Sequence, residues 1–467
     1  MNLAIVIMAA GKGMRMQSSR PKVLHTLAGM PLLGHVMQAS ATLQAPHTIV
    51  ITGHGADEVE SYVNAQHPQV RCVRQIPQQG TGHAVQQAVP ALPDEGVTLI
   101  LNGDVPLVRG DTVAALLQAC QGQHLALLTL ELGDATGYGR IVRRADGCIQ
   151  GIVEHKDTSV EQRRIREVYT GVMAAPTRWL KQAVMGLNNH NAQGEYYLTD
   201  VVARAVADGL SVVGLQATDE IEVLGVNSPA QLADLERRYQ ARQAWALMEA
   251  GVRLRDPARL DIRGQLSCEP DVEIDINCIF EGRVHLGQGV RISAHCFIRD
   301  AVIEAGAVIY PYTHIDGQGE PVRVGQRTLV GPYARLRSGA DLGAEVHIGN
   351  FVEVKNSHLD DGAKANHLAY LGDSTIGKRV NFGAGGITAN FDGAHKHRTV
   401  IEDDAHVGSN CVLVAPVTVG AGATIGAGST IGKDAPAGQL TVARAKQVSL
   451  PAWTRPSKSK SKSKPRP

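Results

Sequence analysis

The chain has 467 residues, and its 46 Lys and Arg almost balance its 45 Asp and Glu, which gives a formal net charge of +1. A single hydrophobic core stops growing near roughly 250–300 residues, so this length predicts two or three domains. Because the charge is almost neutral, no overall field favours nucleic acid or a membrane surface, and we expect neither as a partner.

The first apolar run, residues 3–10, is too short to span a membrane, follows no basic residue and leads directly into a glycine-rich turn. We interpret it as a β-strand. The seven cysteines form no Cys-x-x-Cys pair and show no metal-ligand spacing, a pattern typical of buried or free thiols in a reducing compartment. Both features predict a cytoplasmic protein.

Over residues 1–228, apolar runs alternate with stretches of helical period. The strand-like runs are 3–10, 47–52, 97–104 and 125–132, and the helical stretches include 31–43 and 82–89. Strands separated by helices predict βαβ units, and therefore a Rossmann-like α/β domain with a mostly parallel sheet and helices on both faces. Ligands of such sheets bind beyond the carboxyl ends of the strands.

A turn rich in glycine and basic residues follows the first strand. It has the sequence Met8-Ala9-Ala10-Gly11-Lys12-Gly13-Met14-Arg15-Met16, and Lys22 comes shortly after. Glycines let backbone N–H groups approach a phosphate chain, and the basic side chains would neutralise its charge. A dinucleotide fingerprint needs a glycine at position 16, and a P-loop ends in Gly-Lys-Ser or Gly-Lys-Thr, so neither fits. A plain structural turn is the alternative.

Asn102-Gly103-Asp104 ends an apolar strand with an acid at its carboxyl end. Carboxylates in that position hold Mg²⁺ on substrate phosphates. The alternative is an aspartate that caps the next helix.

Residues 229–250 keep apolar side chains on a helical period, interrupted at Arg242, with no glycine or proline after the initial proline. They predict one connecting helix that ends at Gly251.

From about Val272 to Ile431 the sequence repeats with a period of six. Apolar residues six apart form three runs: Ile274, Phe280, Leu286, Ile292 and Ile298; Val324, Val330, Leu336, Leu342, Ile348 and Val354; Ile401, Val407, Leu413, Val419, Ile425 and Ile431. An α-helix needs a period near 3.6, and a β-meander needs turns every 8–12 residues. Six residues suit a short strand plus a corner, so residues 251–453 predict a left-handed parallel β-helix of hexapeptide turns.

The repeat breaks at two places. Residues 383–398 carry no repeat; such an insertion is often mere decoration, but repeat proteins also place binding sites there. Residues 366–373 bring polar and aromatic side chains, with His367 among them. Because histidine titrates near neutrality, His367 is a candidate base for taking a proton from an amine, and a structural histidine is the alternative. Arg337 and Lys355 on neighbouring coils could meet a phosphate.

The closing segment, residues 454–467, contains the run RPSKSKSKSKPRP, which has no apolar side chain to bury. It predicts a disordered basic tail. A solubilising role and a nucleic-acid role are the two alternatives for it.

Six motifs of the first domain together resemble those of the sugar-1-phosphate nucleotidyltransferases. They are Ala9-Ala10-Gly11-x-Gly13-x-Arg15, Pro21-Lys22, Gln79-Gly80-Thr81-Gly82-His83-Ala84, Asn102-Gly103-Asp104, Gly137-Tyr138-Gly139-Arg140 and Gly151-Ile152-Val153-Glu154-His155-Lys156-Asp157. With the β-helix behind them, residues 1–453 resemble the bacterial family that joins an N-acetylglucosamine-1-phosphate uridylyltransferase to a glucosamine-1-phosphate N-acetyltransferase.

That resemblance implies an enzyme that makes UDP-N-acetylglucosamine for peptidoglycan and lipopolysaccharide precursors. Acetyl-CoA would acetylate glucosamine-1-phosphate, and UTP would then react with the product, with Mg²⁺ as cofactor. The resemblance also implies a homotrimer with active sites between subunits.

For the first domain, the resemblance implies a set of UTP and UDP-sugar contacts: Met8, Ala9, Ala10, Gly11, Gly13, Lys22, Gln75, Gly80, Thr81, Asn102, Gly103, Asp104, Gly139, Glu154, Tyr169 and Asn227. Arg15 and Lys22 would hold the nucleotide phosphates as catalytic residues, and Asp104 and Asn227 would bind Mg²⁺. One position departs from the family. Tyr169 stands where Asn is usual, and a phenol cannot offer the same amide pair to the sugar.

For the second domain, the resemblance implies His367 as the general base. The amino-sugar phosphate would contact Arg337, Lys355, Tyr370, Asn381, Asn390 and Lys396, and acetyl-CoA would contact Ala384, Asn390, Phe391, Ser409, Ala427 and Arg444. Phe391 stands where the family often has Tyr, which removes a hydroxyl contact. Gly386 stands where Thr is frequent, and we expect it to loosen the loop.

Two other functions compete with this interpretation. A single-reaction nucleotidyltransferase would use the β-helix only as a trimerising or regulatory arm, but such an arm has no need of His367, Lys355 and Asn390. A scaffold with inactive sites would have lost Arg15 or Asp104, and both are present.

Overall fold

The computed structural model describes residues 2–456, so most of the predicted basic tail lies outside the described residues. The chain divides into two compact units. The first contains the residues up to Ser267 together with Asp275–Val284, and the second contains Cys268–Ile274 and the residues from His285 onward. Within residues 2–456, no helix has the length and apolar character needed to cross a bilayer.

The first unit alternates strands and helices along the chain. Its strands are β1 Leu3–Met8, β2 Thr26–Leu27, β3 Met30–Pro31, β4 His47–Thr52, β5 Arg71–Arg74, β6 Val97–Asn102, β7 Leu125–Glu131, β8 Arg140–Arg143, β9 Ile149–Val153, β10 Glu167–Pro176, β11 Val212–Gln216, β12 Arg253–Leu254 and β13 Leu260–Cys268. Its helices are α1 Leu32–Ala41, α2 Ala56–Gln66, α3 Thr81–Ala88, α4 Gly110–Cys120, α5 Thr177–Met185, α6 Asp200–Ala207 and α7 Pro229–Glu249.

The main sheet has the strand order β11-β7-β10-β6-β1-β4-β5. The central strand β1 pairs in parallel with β4 and β6, and β7 pairs in parallel with β11. The predicted mostly parallel sheet is therefore confirmed. One strand, β10, runs antiparallel between β6 and β7, and the apolar pattern of a strand carries no sign of its direction.

Two cores lie on opposite faces of this sheet, because successive side chains of a strand point to opposite sides. In β1, Leu3, Ile5 and Ile7 join the core that contains α1, α2 and α4. Ala4 and Val6 of the same strand join the core that contains α3, α5 and α6. The prediction of helices on both faces is confirmed.

The predicted connecting helix is confirmed as α7. Ser228 caps its first turn by accepting a hydrogen bond from the backbone N–H of Gln231 at 3.3 Å, and Pro229 occupies a first-turn position that needs no N–H donor. At the other end Gly251 has φ +93 and donates its backbone N–H to Met248 at 3.0 Å. A left-handed glycine of this kind is a common helix terminator, as the sequence predicted.

The second unit is a parallel β-helix, which confirms the hexapeptide prediction. One ladder of its strands is Glu273–Ile274, Arg291–Ile292, Val308–Ile309, Leu329–Val330, His347–Asn350, Lys364–His367, Asn381–Phe382, His406–Val407, Thr424–Ile425 and Leu440–Thr441. From Phe297–Ile303, a second ladder continues through His314–Asp316, Arg335–Arg337, Glu353–Lys355, Tyr370–Gly372, Ile387–Ala389, Val412–Val414 and Thr430–Ile431. A third continues from the same strand through Val322–Val324, Ala340–Leu342, Ser357–Leu359, Ser374–Ile376, Thr399–Ile401 and Val417–Val419.

The repeated apolar side chains form the interior of this β-helix. In the run from Val324 to Val354, none of the six residues is more than 1 % exposed. One side chain from each six-residue unit therefore packs into the interior of the β-helix, which is why the period is visible in the sequence.

The segment 383–398 is more regular than its sequence suggested. Residues Ile387–Ala389 remain on the second ladder, and the chain leaves the β-helix only after them. The repeat is hidden because Thr388, a polar residue, occupies the buried position and accepts the backbone N–H of Gly372 at 2.8 Å. The excursion that follows is a hairpin, in which His397 donates its backbone N–H to Asn390 at 2.8 Å.

Candidate functional site

Two adjoining cavities open where β1 and β6 end, the place where parallel sheets bind ligands. They share Met8, Thr81, Asn102 and Asp104. We call the cavity beside the glycine-basic turn the turn cavity. We call the other, which is lined by the predicted sugar contacts Gly139, Glu154 and Tyr169, the sugar cavity. Most of the predicted contacts of the first domain line one or the other.

The turn cavity is lined by residues of the glycine-basic turn and by the start of α3. Its predicted members are Met8, Ala9, Ala10, Gly11, Lys22, Gln75, Gly80, Thr81, Asn102 and Asp104. Lys12, Gln78 and Glu195 also line it, and of these only Lys12 carried a signal in the sequence. Gly13 has φ +59, and a Cβ there would lie 2.7 Å from Cβ of Lys22. Glycine at this position therefore lets Lys22 pack against the turn.

The wall beside α3 is held by partly buried hydrogen bonds. Gln75 is buried and donates its Nε2 to the carbonyl of Gly80 at 2.9 Å. Gly80 has φ +105, and a Cβ there would lie 2.6 Å from the carbonyl oxygen of Tyr196. The Thr81 hydroxyl accepts the backbone N–H of Leu198 at 3.0 Å. Gln75, Gly80 and Thr81, all predicted nucleotide contacts, thus form one fixed surface.

Lys22, Asp104 and Asn227 meet at one point between the cavities. The Lys22 ammonium forms an ion pair with Oδ2 of Asp104 and donates to Oδ1 of Asn227 at 3.1 Å. A carboxylate and an amide oxygen thus converge on a position that a cation already occupies, and both are the hard oxygen ligands that Mg²⁺ prefers. Within residues 2–456, no group of three or more His, Cys, Asp or Glu side chains is placed to hold a metal ion. Substrate phosphates and water would have to complete any coordination shell here.

Of the other predicted contacts of the first domain, five line the sugar cavity, whereas Gly13 and Gly103 line neither cavity. The five are Arg15, Gly139, Glu154, Tyr169 and Asn227. Sequence reasoning missed several further lining residues: Gly171, Leu198, Thr199, Gly225 and Gln231. Most of them lie in loops where neither charge nor glycine spacing marks a site.

The Glu154 carboxyl group lies deep in the sugar cavity. Burial raises its pKa, and the nearby charges of Asp200 and Asp157 raise it further. The Thr199 hydroxyl opposes this effect by donating to Oε1 at 3.0 Å. The Glu154 carboxyl group can therefore form hydrogen bonds with a polar ligand in this cavity.

Tyr169, the departure from the family pattern, forms part of the same wall. Its side chain is buried, burial raises its pKa well above the usual value, and its hydroxyl has no hydrogen-bond partner within residues 2–456. Strand β10 bulges between Tyr169 and Met173, which changes the direction of the backbone at this point. Gly171, inside the bulge, has φ +89, and a Cβ there would lie 1.9 Å from Nδ2 of Asn102. The phenol thus offers one hydroxyl where an amide would offer two groups.

In the second unit, three basic side chains converge beside the second ladder. The pKa of Lys355 is lowered, first by the Lys396 ammonium at hydrogen-bonding distance, then by burial, by the Lys396 charge and by Arg337. Lys396 comes from the hairpin, whereas Arg337 and Lys355 come from consecutive strands of the ladder. Like charges held this close repel each other, and a bound anion would relieve that repulsion.

A buried carboxylate ties the hairpin to the β-helix. Asp373 is 7 % exposed and accepts hydrogen bonds from the side-chain amides of Asn356 and Asn390. Asn390 is therefore fixed beside the cationic cluster, because the Asp373 charge also acts on Lys355. Neither Asp373 nor Asn356 was predicted, since their roles depend on how successive coils stack.

Two further predicted sugar contacts lie on different faces. The Tyr370 ring lies over Gly372, where a Cβ would be 2.4 Å from the Tyr370 hydroxyl. Gly372 is the ladder partner of Lys355, so Tyr370 belongs beside the cluster. Asn381 lies on the first ladder, and its Nδ2 is 3.0 Å from Nδ1 of His406.

His367 is exposed, and its ring is oriented by one partner. Its Nδ1 lies 3.0 Å from Oδ1 of Asn350, its partner on the preceding coil. An amide oxygen only accepts, so in the neutral ring Nδ1 carries the proton and Nε2 bears the lone pair. The sequence did not mark Asn350, which lies 17 residues away and is brought opposite His367 by the length of the coil.

Replacing Asn350 by Asp tests this orientation. A carboxylate beside the ring would stabilise the imidazolium form, which cannot accept a proton. We therefore expect the acid limb of the pH profile for the acetyl transfer that the sequence predicts to move to higher pH, with the rate at alkaline pH largely retained. The profile is measured by release of free thiol from acetyl-CoA. An unchanged profile would show that Asn350 does not act on the ring.

The predicted acetyl-CoA contacts lie on successive coils. The carbonyl of Ala384 accepts the backbone N–H of Asn410 at 2.8 Å, and the carbonyl of Ser409 accepts that of Gly428 at 2.8 Å. Arg444 donates its Nη1 to the carbonyl of Ala427 at 2.7 Å. The structure thus brings Ala384, Ser409, Ala427 and Arg444 into one row along the stack.

The two family departures in this region have different consequences. A Cβ at Gly386 would lie 2.3 Å from Cε1 of Phe382, so the Phe382 ring fills the space of a larger side chain. The expectation that Gly386 loosens the loop is wrong, because the position is packed. Phe391 lies in the hairpin, is 61 % exposed and pairs with Lys396.

Comparison with known proteins finds two family models along the chain. Residues 5–171 match a MobA-like NTP transferase domain, and residues 398–433 match the bacterial transferase hexapeptide model with six repeats. Relatives named Bifunctional protein GlmU include one from Methylibium petroleiphilum, which is 68% identical over 98% of this chain and 99% of its own. The chain belongs to the GlmU family.

Two other GlmU relatives have similar coverage. The protein of Paracidovorax citrulli is 64% identical and that of Polaromonas naphthalenivorans is 63% identical, each over 98% of both chains. The predicted family is confirmed, and with it a nucleotidyltransferase domain and a hexapeptide transferase region in one bifunctional enzyme.

Proposed function

We propose that the chain makes UDP-N-acetylglucosamine in two consecutive reactions. The β-helix domain, residues 251–453, transfers acetyl from acetyl-CoA to glucosamine-1-phosphate. The nucleotidyltransferase domain, residues 1–228, then transfers uridylyl from UTP to N-acetylglucosamine-1-phosphate, and residues 229–250 link the two. One observation carries the proposal: a single chain holds two separate cationic sites, one beside paired oxygen ligands and one in the unit that contains an oriented histidine.

For uridylyl transfer, a phosphate oxygen of the sugar phosphate attacks the α-phosphorus of UTP in line, and pyrophosphate leaves. Arg15 and Lys22 would neutralise the phosphates, which repel each other as they approach. Asp104 and Asn227 would hold Mg²⁺, which supplies further charge neutralisation when bound. Lys22, which contacts both of these side chains, would exchange these contacts for hydrogen bonds to the phosphates when the substrates bind.

In the sugar cavity, Gly139, Glu154 and Tyr169 would contact the N-acetylglucosamine ring. The half-buried Glu154 carboxyl and the Tyr169 hydroxyl each offer a hydrogen-bonding group. On the nucleotide side, Gln75, Gly80 and Thr81 would contact the uracil.

For acetyl transfer, the amine nitrogen of glucosamine-1-phosphate attacks the thioester carbonyl of acetyl-CoA. A new C–N bond forms, the C–S bond breaks, and CoA leaves as a thiolate, which becomes the free thiol when it takes the proton that His367 has accepted from the amine. Nε2 of His367 takes the proton that the amine must lose. Arg337, Lys355 and Lys396 would bind the sugar phosphate, and the row from Ala384 to Arg444 would bind acetyl-CoA.

We propose a homotrimer as the assembly, because hexapeptide transferases associate by packing their β-helices side by side. The hairpin that carries Lys396 leaves the β-helix after Ala389, so it could reach a neighbouring subunit. The cytoplasm is the proposed compartment, since it supplies UTP and acetyl-CoA. Sedimentation at the monomer mass would contradict the assembly.

The experiment that tests the function follows the two reactions separately. Free thiol should appear only when acetyl-CoA and glucosamine-1-phosphate are both present, and pyrophosphate only when UTP, N-acetylglucosamine-1-phosphate and Mg²⁺ are all present. Pyrophosphate release without any thiol release would mean that the β-helix is only a structural arm.

A further inference from the structure

Four arginines converge on a cavity of the first unit that neither reaction uses. Its volume is ≈ 540 Å³, within the range of small-molecule sites. The charged and titratable residues that line it are Asp134, Arg140, His155, Arg163, Arg164 and Arg166. We call it the arginine cavity.

These arginines lack the carboxylate partners that several other arginines of the unit have. Within residues 2–456, none of the four forms an ion pair with a carboxylate. Several arginines elsewhere in the unit are paired with Asp or Glu, among them Arg74, Arg109, Arg143, Arg178 and Arg204. Asp134 is the one acid among the lining residues, and its carboxylate accepts the backbone N–H of Thr136 at 3.0 Å. The arginine cavity is therefore short of negative charge.

Arg140 forms the floor of the cavity and is 2 % exposed. Its Nη1 donates to the carbonyl of Tyr138, but its Nε has no hydrogen-bond partner within residues 2–456. Nδ1 of His155 is likewise buried without a partner in that range. Burying a guanidinium group costs free energy unless an anion and hydrogen-bond acceptors compensate for it. Burial accordingly lowers the pKa of Arg140.

We propose that the arginine cavity binds the phosphoryl group of a small phosphorylated metabolite. Guanidinium groups are planar and present paired N–H donors that match phosphate oxygens. A phosphoryl dianion would offset more of the excess positive charge than a carboxylate. Arg163, Arg164 and Arg166 are exposed and can close over the ligand, whereas Arg140 lies beneath it.

The arginine cavity lies directly behind the sugar cavity. Thr136 lines both. Arg140 follows Gly139 in the chain and holds the carbonyl of Tyr138, and both of those neighbours line the sugar cavity. A ligand bound to Arg140 would therefore act on the loop that contacts the sugar. This makes the cavity a regulatory site for uridylyl transfer.

The test uses inorganic phosphate as the probe and phenylglyoxal as an arginine label, with labelling rates measured for each arginine by mass spectrometry. At ten dissociation constants of phosphate, labelling of Arg163, Arg164 and Arg166 should slow about tenfold, because only the free site reacts. Arg178, whose side chain is 72% exposed and paired with Glu95, is the matched control and should label equally with and without phosphate. If phosphate left the labelling rates of Arg163, Arg164 and Arg166 as unchanged as that of Arg178, the proposal would be overturned.

A double variant, Arg163→Gln with Arg164→Gln, gives a second test of the site. Its uridylyl transfer without added phosphate should match the wild type, because both side chains lie outside the two catalytic cavities. Phosphate should change the KM for N-acetylglucosamine-1-phosphate in the wild type, and the double variant should lose both this change and the protection of Arg166. Retained protection would refute the site. Parallel arms with pyrophosphate and UDP show whether a larger phosphorylated ligand binds more tightly.

Discussion

Replacing His367 by alanine is expected to slow acetyl transfer about 10²–10⁴-fold, the usual contribution of a positioned general base. The amine must lose a proton to form the amide, and Nε2 of His367 is the acceptor left by the hydrogen bond from Nδ1 to Asn350. Because His367 is exposed, its removal leaves no cavity in the β-helix. Thiol release from acetyl-CoA measures the loss.

His358→Ala is the matched control for this variant. His358 also lies on a β-helix strand, but its ring nitrogens contact Asp341 and Asp360 rather than the proposed site. We expect acetyl transfer by this variant to stay close to that of the wild type. An equal loss in both variants would point to a structural effect, and no loss in His367→Ala would exclude this histidine as the base.

Replacing Asp104 by asparagine is expected to lower uridylyl transfer by about 10²–10³-fold, comparable with the loss of one preorganised electrostatic group. The substitution keeps the size of the side chain but removes the charge that pairs with Lys22 and that would bind Mg²⁺. The concentration of Mg²⁺ needed for half-maximal rate should also rise. Pyrophosphate release at varied Mg²⁺ measures both effects.

The control for Asp104 is Asp111→Asn. Asp111 lies in the first turn of α4, where it pairs with the exposed Arg109. Exposed pairs of this kind contribute only about 0–1 kcal/mol, so the variant should retain its activity. Acetyl transfer should be unchanged in both variants. If Asp104→Asn released pyrophosphate at the wild-type rate, the proposed Mg²⁺ ligand would be wrong.

Much of the fold could be predicted because two simple periods are present in the sequence. In the β-helix, each unit of six residues packs one apolar side chain into the interior, so runs such as Val324 to Val354 predict the fold directly. In the first unit, alternating strands and helices indicated the parallel sheet. The direction of β10 could not be predicted, because strand pairing depends on distant residues.

The site was predictable where function required an unusual residue in a local motif. The glycine-basic turn, Asp104 and His367 are examples. The partners that hold these groups were not predictable, because they come from other coils or loops. Asn350 reaches His367 from the preceding coil, and Asp373 holds Asn390 through a hydrogen bond across the stack. The buried Arg140 gave no signal either, since nothing in Gly-Tyr-Gly-Arg distinguishes a buried arginine from an exposed one.

The most direct test of the central claim, two independent reactions in one chain, is a mixing experiment. The His367→Ala protein, the Asp104→Asn protein and a mixture of the two are each incubated with glucosamine-1-phosphate, acetyl-CoA, UTP and Mg²⁺. UDP-N-acetylglucosamine is then measured by mass spectrometry. We predict almost no product from either variant alone and clear product from the mixture, because the acetylated intermediate made by one protein is used by the other. Product at the wild-type rate from either variant alone, or none from the mixture, would contradict the account.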